Sequence, residues 1–245
     1  MEKKRVCVTG AGGFAASCLV NLLLSKGFIV HGTVRDPSDE KYAHLKRLEN
    51  ASENLILFKA DLLDFVSVVS AVAGCEGVFH VASPVPSSKV PNPEVEVLEP
   101  AVTGTKNVLK ASLEAKVKRV VMVSSASAID MKPDWNGTRE TVENTTRNVV
   151  DVRDLAEALL LVYEKKEASG RHIASSHAIN TRDLIGLLKC LFPNYNYPKN
   201  IVEVEVGGGK VYSSKKLQLL GWKFRPLEET LKDAVNHYQS AHLLE

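Results

Sequence analysis

Apolar and polar positions follow two alternating periods through the first half of the chain. Short β-branched apolar runs at Arg5–Thr9, Phe28–Val34, Leu55–Lys59, Gly77–Val81 and Arg119–Ser124 predict strands. Between them apolar residues recur at helical spacing over Phe14–Lys26, Asp39–Glu49, Leu62–Ala73 and about Val95 to Ala115. Strands alternating with helices imply βαβ units and a parallel, doubly wound α/β sheet. Crossovers are right-handed and the order reverses after the first strand, so five units give the Rossmann-type order 3-2-1-4-5. Ligands of such sheets bind at the carboxyl ends of the strands.

The second half loses this rhythm. Asp130 to Asn148 is polar and carries no period, which predicts a loop long enough to be unusual in a compact domain. Helical patterns follow at Val152–Glu164 and Thr181–Leu191, with a short strand expected at His172–Ala174. A loop rich in Pro, Asn and Tyr covers Pro193–Asn200. Ser213–Leu220 then runs to Gly221 as a stop, and a last helix spans Pro226 to about His242. No internal repeat is present. The expected division is a dinucleotide-binding core over 1–137 and a small, mainly helical lobe over 138–245.

Composition narrows the class of protein. Of 245 residues, 44% are hydrophobic, ample for a core. The 31 basic and 29 acidic side chains nearly cancel, so nothing favours nucleic acid or an anionic membrane as partner. Cys7, Cys18, Cys75 and Cys190 are scattered, with no Cys-x-x-Cys pair; buried thiols of a reducing compartment are expected, and no metal site is assigned. The first strand begins too early for a signal peptide and no apolar run spans a bilayer. A soluble, cytoplasmic protein is expected.

The strongest chemical signal is Val6-Cys7-Val8-Thr9-Gly10-Ala11-Gly12-Gly13-Phe14-Ala15-Ala16, where an apolar strand enters a glycine-rich turn and an apolar helix leaves it. Gly10 permits the sharp turn, Gly13 has no side chain to block a pyrophosphate, and Ala16 lets the helix pack on the strand. The helix N-terminus offers free N–H groups to the phosphates. The turn from Gly10 through Ala11, Gly12, Gly13, Phe14 and Ala15 to Ala16 is therefore the candidate cofactor cradle.

Other candidates fall at later strand ends. Arg35 ends the second strand, where a carboxylate holds the ribose in NAD enzymes and an Arg accommodates a 2′-phosphate, which favours NADP(H); Lys41 offers a second positive charge. Both are also readable as solvated charges beside Asp36, Asp39 and Glu40. Asp61 and Leu62 follow the third strand, where a carboxylate can meet the adenine amino group; Asp61 is equally suited to cap a helix. Val81, Ala82 and Ser83 end the fourth strand and let the backbone approach the nicotinamide ribose. His80 is read as a packing or hydrogen-bonding residue of the strand. Ser124 and Ser125 end the fifth strand, where a hydroxyl can hydrogen-bond a substrate carbonyl. Carbonyl reduction also needs a proton donor, a role suited to Tyr with Lys four residues on, both on one helical face.

These segments resemble the extended short-chain dehydrogenases/reductases, and within them the plant cinnamoyl-CoA reductase and dihydroflavonol 4-reductase group. The resemblance is carried by VTGAGGFAA, GTVRDP, ADLLD at 60–64, VFHVASPV at 78–85, PAVTGTKNVLKA at 100–111, RVVMVSSASA at 119–128, VDVRDLAEALLLVYEK at 150–165 and RPLEETLKDAV at 225–235. It implies NADPH-dependent reduction of a carbonyl or acyl-CoA thioester of phenylpropanoid or flavonoid type, with Ser125 as the matching catalytic residue.

The resemblance is interrupted. The family places a helix bearing Tyr-x-x-x-Lys after the strand that ends in Ser, whereas here SSASAIDMKPDWNG runs directly into TRETVENTTRNVVDVRD. About 70–80 residues are absent at a join near Gly137–Thr141, roughly two βα units on the scale of such motifs. Tyr42/Lys46, Tyr195/Lys199 and Tyr212/Lys216 have the right spacing, but none follows the fifth strand, and Tyr163 has Glu167 at the Lys position. The chain is thus expected to lack the catalytic Tyr and Lys and to have little or no turnover. The alternatives are a non-catalytic NADP-binding or interaction protein and an unstable shortened isoform. The missing units would also leave the fifth strand as a sheet edge, open to homo- or hetero-association.

Overall fold

The computed structural model describes residues 3–84, 90–125, 141–203 and 210–241. The chain divides into two compact units, Met1–Ser125 with Ala156–Ser169, and Ala126–Leu155 with Gly170–Glu245.

The first unit is built on five parallel strands, β1 (Arg5–Thr9), β2 (Ile29–Val34), β3 (Leu55–Lys59), β4 (Gly77–His80) and β5 (Arg119–Met122), in the order β3-β2-β1-β4-β5. This is the expected Rossmann-type α/β sheet. The three central strands β1, β2 and β4 are buried on both faces, as continuous apolar runs require, while the edge strands β3 and β5 are partly exposed. Cys7, Val78 and Val120 face α4 (Phe65–Val72) and α5 (Glu99–Glu114), whose Val68, Ala71, Val72, Val108 and Ala111 complete that layer. A single π-turn, Glu94–Leu98, precedes α5.

On the other face α1 (Phe14–Ser25) buries Leu19, Val20, Leu23 and Leu24. The stretch Asp39–Glu49 expected as one helix is instead a 3-10 turn at Glu40–Tyr42 and α2 (Ala43–Lys46), and a further short helix, α3 (Ala51–Asn54), follows it. A positive φ of 61° at Asn50 separates α2 from α3. A distant segment completes the layer: α6 (Val152–Glu164) brings Tyr163 onto Gly77, Phe79 and Phe28. The Arg119 guanidinium donates to the carbonyls of Val162, Lys165 and Ala168 at 2.8, 3.0 and 2.9 Å, capping the end of that helix. Cys7 and Cys75 are buried, Cys18 half-buried and Cys190 exposed, and all four are free thiols.

In the second unit β6 (Thr141–Asn144) pairs in parallel with β9 (Asn200–Glu203), and β7 (Thr146–Val149) pairs antiparallel with β8 (His177–Asn180). The loop expected over 130–148 is therefore strand from Thr141 on; residues 126–140 lie outside those described. The strand expected at His172–Ala174 forms five residues later, where His177 to Asn180 meets a partner in Val149 to Thr146. Around these pairs lie α7 (Thr181–Leu191), α8 (Lys215–Leu219) and α9 (Leu227–Ser240). An ionic cluster joins the start of α6 to α9: Arg153 pairs with Asp151 at 2.7 Å and Asp233 at 2.8 Å, and buried Asp154 pairs with Arg225. No helix among the described residues is long and apolar enough to cross a membrane.

Candidate active site

The glycine turn leaves β1 at Gly10 with φ +64°, a conformation that favours glycine, and a Cβ there would lie 2.9 Å from that of Ala82. The turn is pinned from β2: the Thr33 hydroxyl accepts from Gly10 N at 3.0 Å, and the Thr33 carbonyl from Ala11 N at 2.9 Å. Ala11 and Ala16 are buried while Gly13 and Phe14 are exposed, which puts the open side of the turn at the helix start. Gly13 caps α1 with no side-chain hydrogen bond and no acidic residue follows in the first turn. The N–H groups of that turn, with Ala15 beside them, thus suit an anion. A side chain at Gly13 would crowd the Gly10 carbonyl at 3.3 Å, so the cradle depends on its glycines. It fits a dinucleotide pyrophosphate.

Beyond the turn, a cavity of about 350 Å³ at the ends of β2 and β3 is lined by Arg35, Lys59, Ala60, Asp61, Asp64 and Ser67. The second cation of this cavity is Lys59. Lys41, the expected one, is held by Asp39 at 2.6 Å and lies over the Tyr42 ring. Its ammonium pKa is raised by that Asp39 hydrogen bond. Tyr42 itself rests on Gly12, within 2.3 Å of where a Cβ would stand. Asp61 accepts from Leu63 N at 2.9 Å, and the helix-capping role falls to Asp64, which accepts from Val66 N at 3.1 Å. Leu62, half-buried, packs against Gly104 of α5.

At the ends of β4 and β5, Val81 and Ala82 are half-buried and Ser83, Ser124 and Ser125 exposed. His80 is buried, 2.9 Å from the Thr9 hydroxyl, and burial lowers its pKa. Thr9, Gly10, Ala82 and the start of α1 thus share one side of the sheet, the carboxyl edge. The segment 85–89 and the join at 137–140 lie outside the described residues.

No described tyrosine of the first unit stands at the end of β5. Tyr42 is committed to Gly12, and Tyr163 is packed at the opposite, amino end of β4, its phenol pushed up to about 12, mainly by burial. In the second unit the Tyr195 hydroxyl accepts from Gln239 at 2.8 Å, and Lys216, four residues after Tyr212, donates to the Arg171 carbonyl at 3.1 Å.

Residues 10–173 match the family model described as NAD(P)H-binding. The chain is 38% identical to cinnamoyl-CoA reductase 2 of Medicago truncatula over 310 aligned positions, covering 96% of this chain and 91% of that protein. It is 34% identical to tetraketide alpha-pyrone reductase 1 of Arabidopsis thaliana, covering 95% and 94%. The chain belongs to the cinnamoyl-CoA reductase-like group of the extended short-chain dehydrogenases/reductases. The fold agrees: vestitone reductase from alfalfa superposes with a TM-score of 0.79 at 24% identity, over 99% of this chain and all of that one. This membership makes the chain an NAD(P)H-binding reductase by family. The first of these matches also has an internal feature. It runs over 310 positions while this chain has 245 residues, so at least 65 positions of that cinnamoyl-CoA reductase have no residue here.

Proposed function

We propose that this chain is an NADP(H)-binding member of the group that has lost most of its turnover with the segment bearing the catalytic Tyr and Lys. The family reaction is reduction of a carbonyl or an acyl-CoA thioester of phenylpropanoid or flavonoid type. The observation that carries the reading is an intact glycine cradle, with Arg35 and Lys59 together at the ends of β2 and β3, while past β5 Ser124 and Ser125 are exposed and no described tyrosine of the first unit stands.

Each residue then has a role. The turn from Gly10 to Ala16 and the first N–H groups of α1 receive the pyrophosphate. Arg35 and Lys59 favour a 2′-phosphate, to which Lys41 contributes only after leaving Asp39. Asp61 and Leu62 border the adenine, while Val81, Ala82, Ser83 and Ser124 border the nicotinamide ribose. When bound, NADPH supplies the hydride. Ser125 can hydrogen-bond a substrate carbonyl, but its hydroxyl is too weak an acid to deliver the proton that a lowered-pKa Tyr provides.

Thermal unfolding with NADPH and with NADH tests the cofactor part, since a ligand of the native state raises stability according to its concentration over Kd. An NADPH-selective shift is expected, together with NADPH consumption near background on cinnamoyl-CoA or an aromatic aldehyde. Turnover at the rate of a full-length relative would refute the loss of activity.

A second reading rests on β5, which is an edge of the sheet among the described residues, with Met122 49% exposed. An NADP-binding chain with such an edge suits a non-catalytic partner of a full-length relative. Co-expression and pull-down decide it, and recovery no better than with an edge-disrupted variant counts against it.

A further inference from the structure

The cofactor loops proposed above are held from below by one stretch of α5. At the top of β1, Thr9 is buried at 1% exposure. Its hydroxyl accepts from Val81 N at 3.1 Å and from Ala82 N at 3.0 Å, and stands 2.9 Å from His80 Nδ1. With both lone pairs occupied, its one proton points to His80 Nδ1, which accepts. The neutral imidazole must then carry its proton on Nε2, which donates to the Thr105 hydroxyl at 3.2 Å. Burial, which lowers the His80 pKa, agrees with a neutral ring. Two residues further along α5, Asn107 Nδ2 donates to the Leu62 carbonyl at 2.8 Å, and a Cβ at Gly104 would stand 2.8 Å from that of Leu62.

The polar groups of this helix segment therefore end on two loops. One path runs Thr105 to His80 to Thr9 to the backbone of 81–82, where Ala82 touches Gly10. The other runs from Asn107 to the backbone at Leu62, next to Asp61. We infer that Thr105 and Asn107 are positioning residues for the cofactor: they set the placement of the two strand-end loops without touching the nucleotide themselves. This rests on the NADP(H) reading of those loops. An unsatisfied buried donor is costly, so removing one acceptor at Thr105 disturbs the whole relay and not one bond alone.

The experiment separates the relay from the cofactor. Nitrogen-resolved NMR of the ligand-free chain reads the His80 tautomer, and amide exchange reads Val81 and Ala82. The expected results are an Nε2–H imidazole and slow exchange, with Thr105→Val speeding exchange at both amides at least tenfold and Thr105→Ser restoring it. NADPH titration of the same proteins is expected to give a Kd about tenfold weaker for Thr105→Val and for Asn107→Leu. Ser112→Ala, which removes a buried hydroxyl bonded only within α5, controls for general loosening of the helix and should leave both readouts unchanged. An Nδ1–H tautomer, or unchanged exchange in Thr105→Val, would overturn the relay whatever the cofactor does. Equal NADPH affinity in Thr105→Val and the parent would overturn its positioning role, while a parent that binds no NADPH refutes the cofactor reading and leaves the relay to be decided by exchange.

Discussion

Arg35 and Lys59 share one cavity although they lie 24 positions apart, because β2 and β3 pair with Val34 beside Lys59 and so end level. That geometry gives Arg35 a measurable role. If Arg35 holds the 2′-phosphate as proposed, Arg35→Glu removes that partner and places a carboxylate beside it, so NADPH affinity should fall about tenfold or more. NADH, which lacks that phosphate, should lose little; equal losses in parallel fluorescence titrations would mean that Arg35 acts on the fold alone. The same pair shows what the sequence conceals. The glycine turn is legible because its requirements are local: a strand, a residue that tolerates φ +64°, and a helix start. Lys59 escaped because its neighbour is set by strand register. Lys41 is nearer to Arg35 along the chain, but a carboxylate two residues before it competes for its ammonium. Tyr42 likewise reads as half of a chance Tyr-x-x-x-Lys pair, and only the turn at Glu40–Tyr42 sends its ring onto Gly12.

The elements that sequence pattern predicts well are those with a buried apolar face. β1, β3, α6 and α7 keep their expected limits, because each satisfies its own period and packs on one layer. β6, β7 and β9 have no such face; four-residue polar strands such as Thr141–Asn144 are stabilised by partners some 30 or 60 residues away and leave no alternation to detect. One element, α6, depends on a single distant side chain at its end. Arg119→Ala would leave the carbonyls of Val162, Lys165 and Ala168 without their cation. A loss of about 1–3 kcal/mol is expected in urea unfolding, the usual cost of stranding partly buried acceptors. A change within a few tenths would mean that water replaces the guanidinium. The start of the same helix gives a pH prediction. The Arg153 side chain, and after it the Arg153 N–H and Thr230 hydroxyl, outweigh burial and hold the Asp151 carboxyl at about 2. The folded pKa lies below the unfolded one. Its contribution is therefore complete above about pH 4 and disappears as pH falls toward 2. Asp151→Asn should lower the urea midpoint at pH 6 and remove part of the parent's decline between pH 4 and pH 2. Parallel declines in the two proteins would contradict this assignment.

At the scale of the molecule, the proposed loss of turnover beside an intact cofactor half follows from where each part of the chemistry enters the fold. A Rossmann-type sheet concentrates its chemistry where strands 4 and 5 end, and the nucleotide and the proton donor reach that place from different halves of the fold. The first half supplies the cradle through segments adjacent to β1, β2 and β3, so a deletion after β5 leaves it in place. In the proposed function the donor belongs to the segment that follows Ser125, and the 65 or more unmatched positions are of a size to carry a helix and its strand. Grafting therefore tests the argument directly. Replacing the residues between Ser125 and Thr141 with the longer segment of the Medicago truncatula relative should restore NADPH-dependent reduction of an aromatic acyl-CoA or aldehyde. Changing the grafted Tyr to Phe should abolish the gain while leaving NADPH affinity unaltered. A graft that folds and binds NADPH but reduces nothing would locate the defect elsewhere, in the residues that shape the substrate pocket and not in the missing donor.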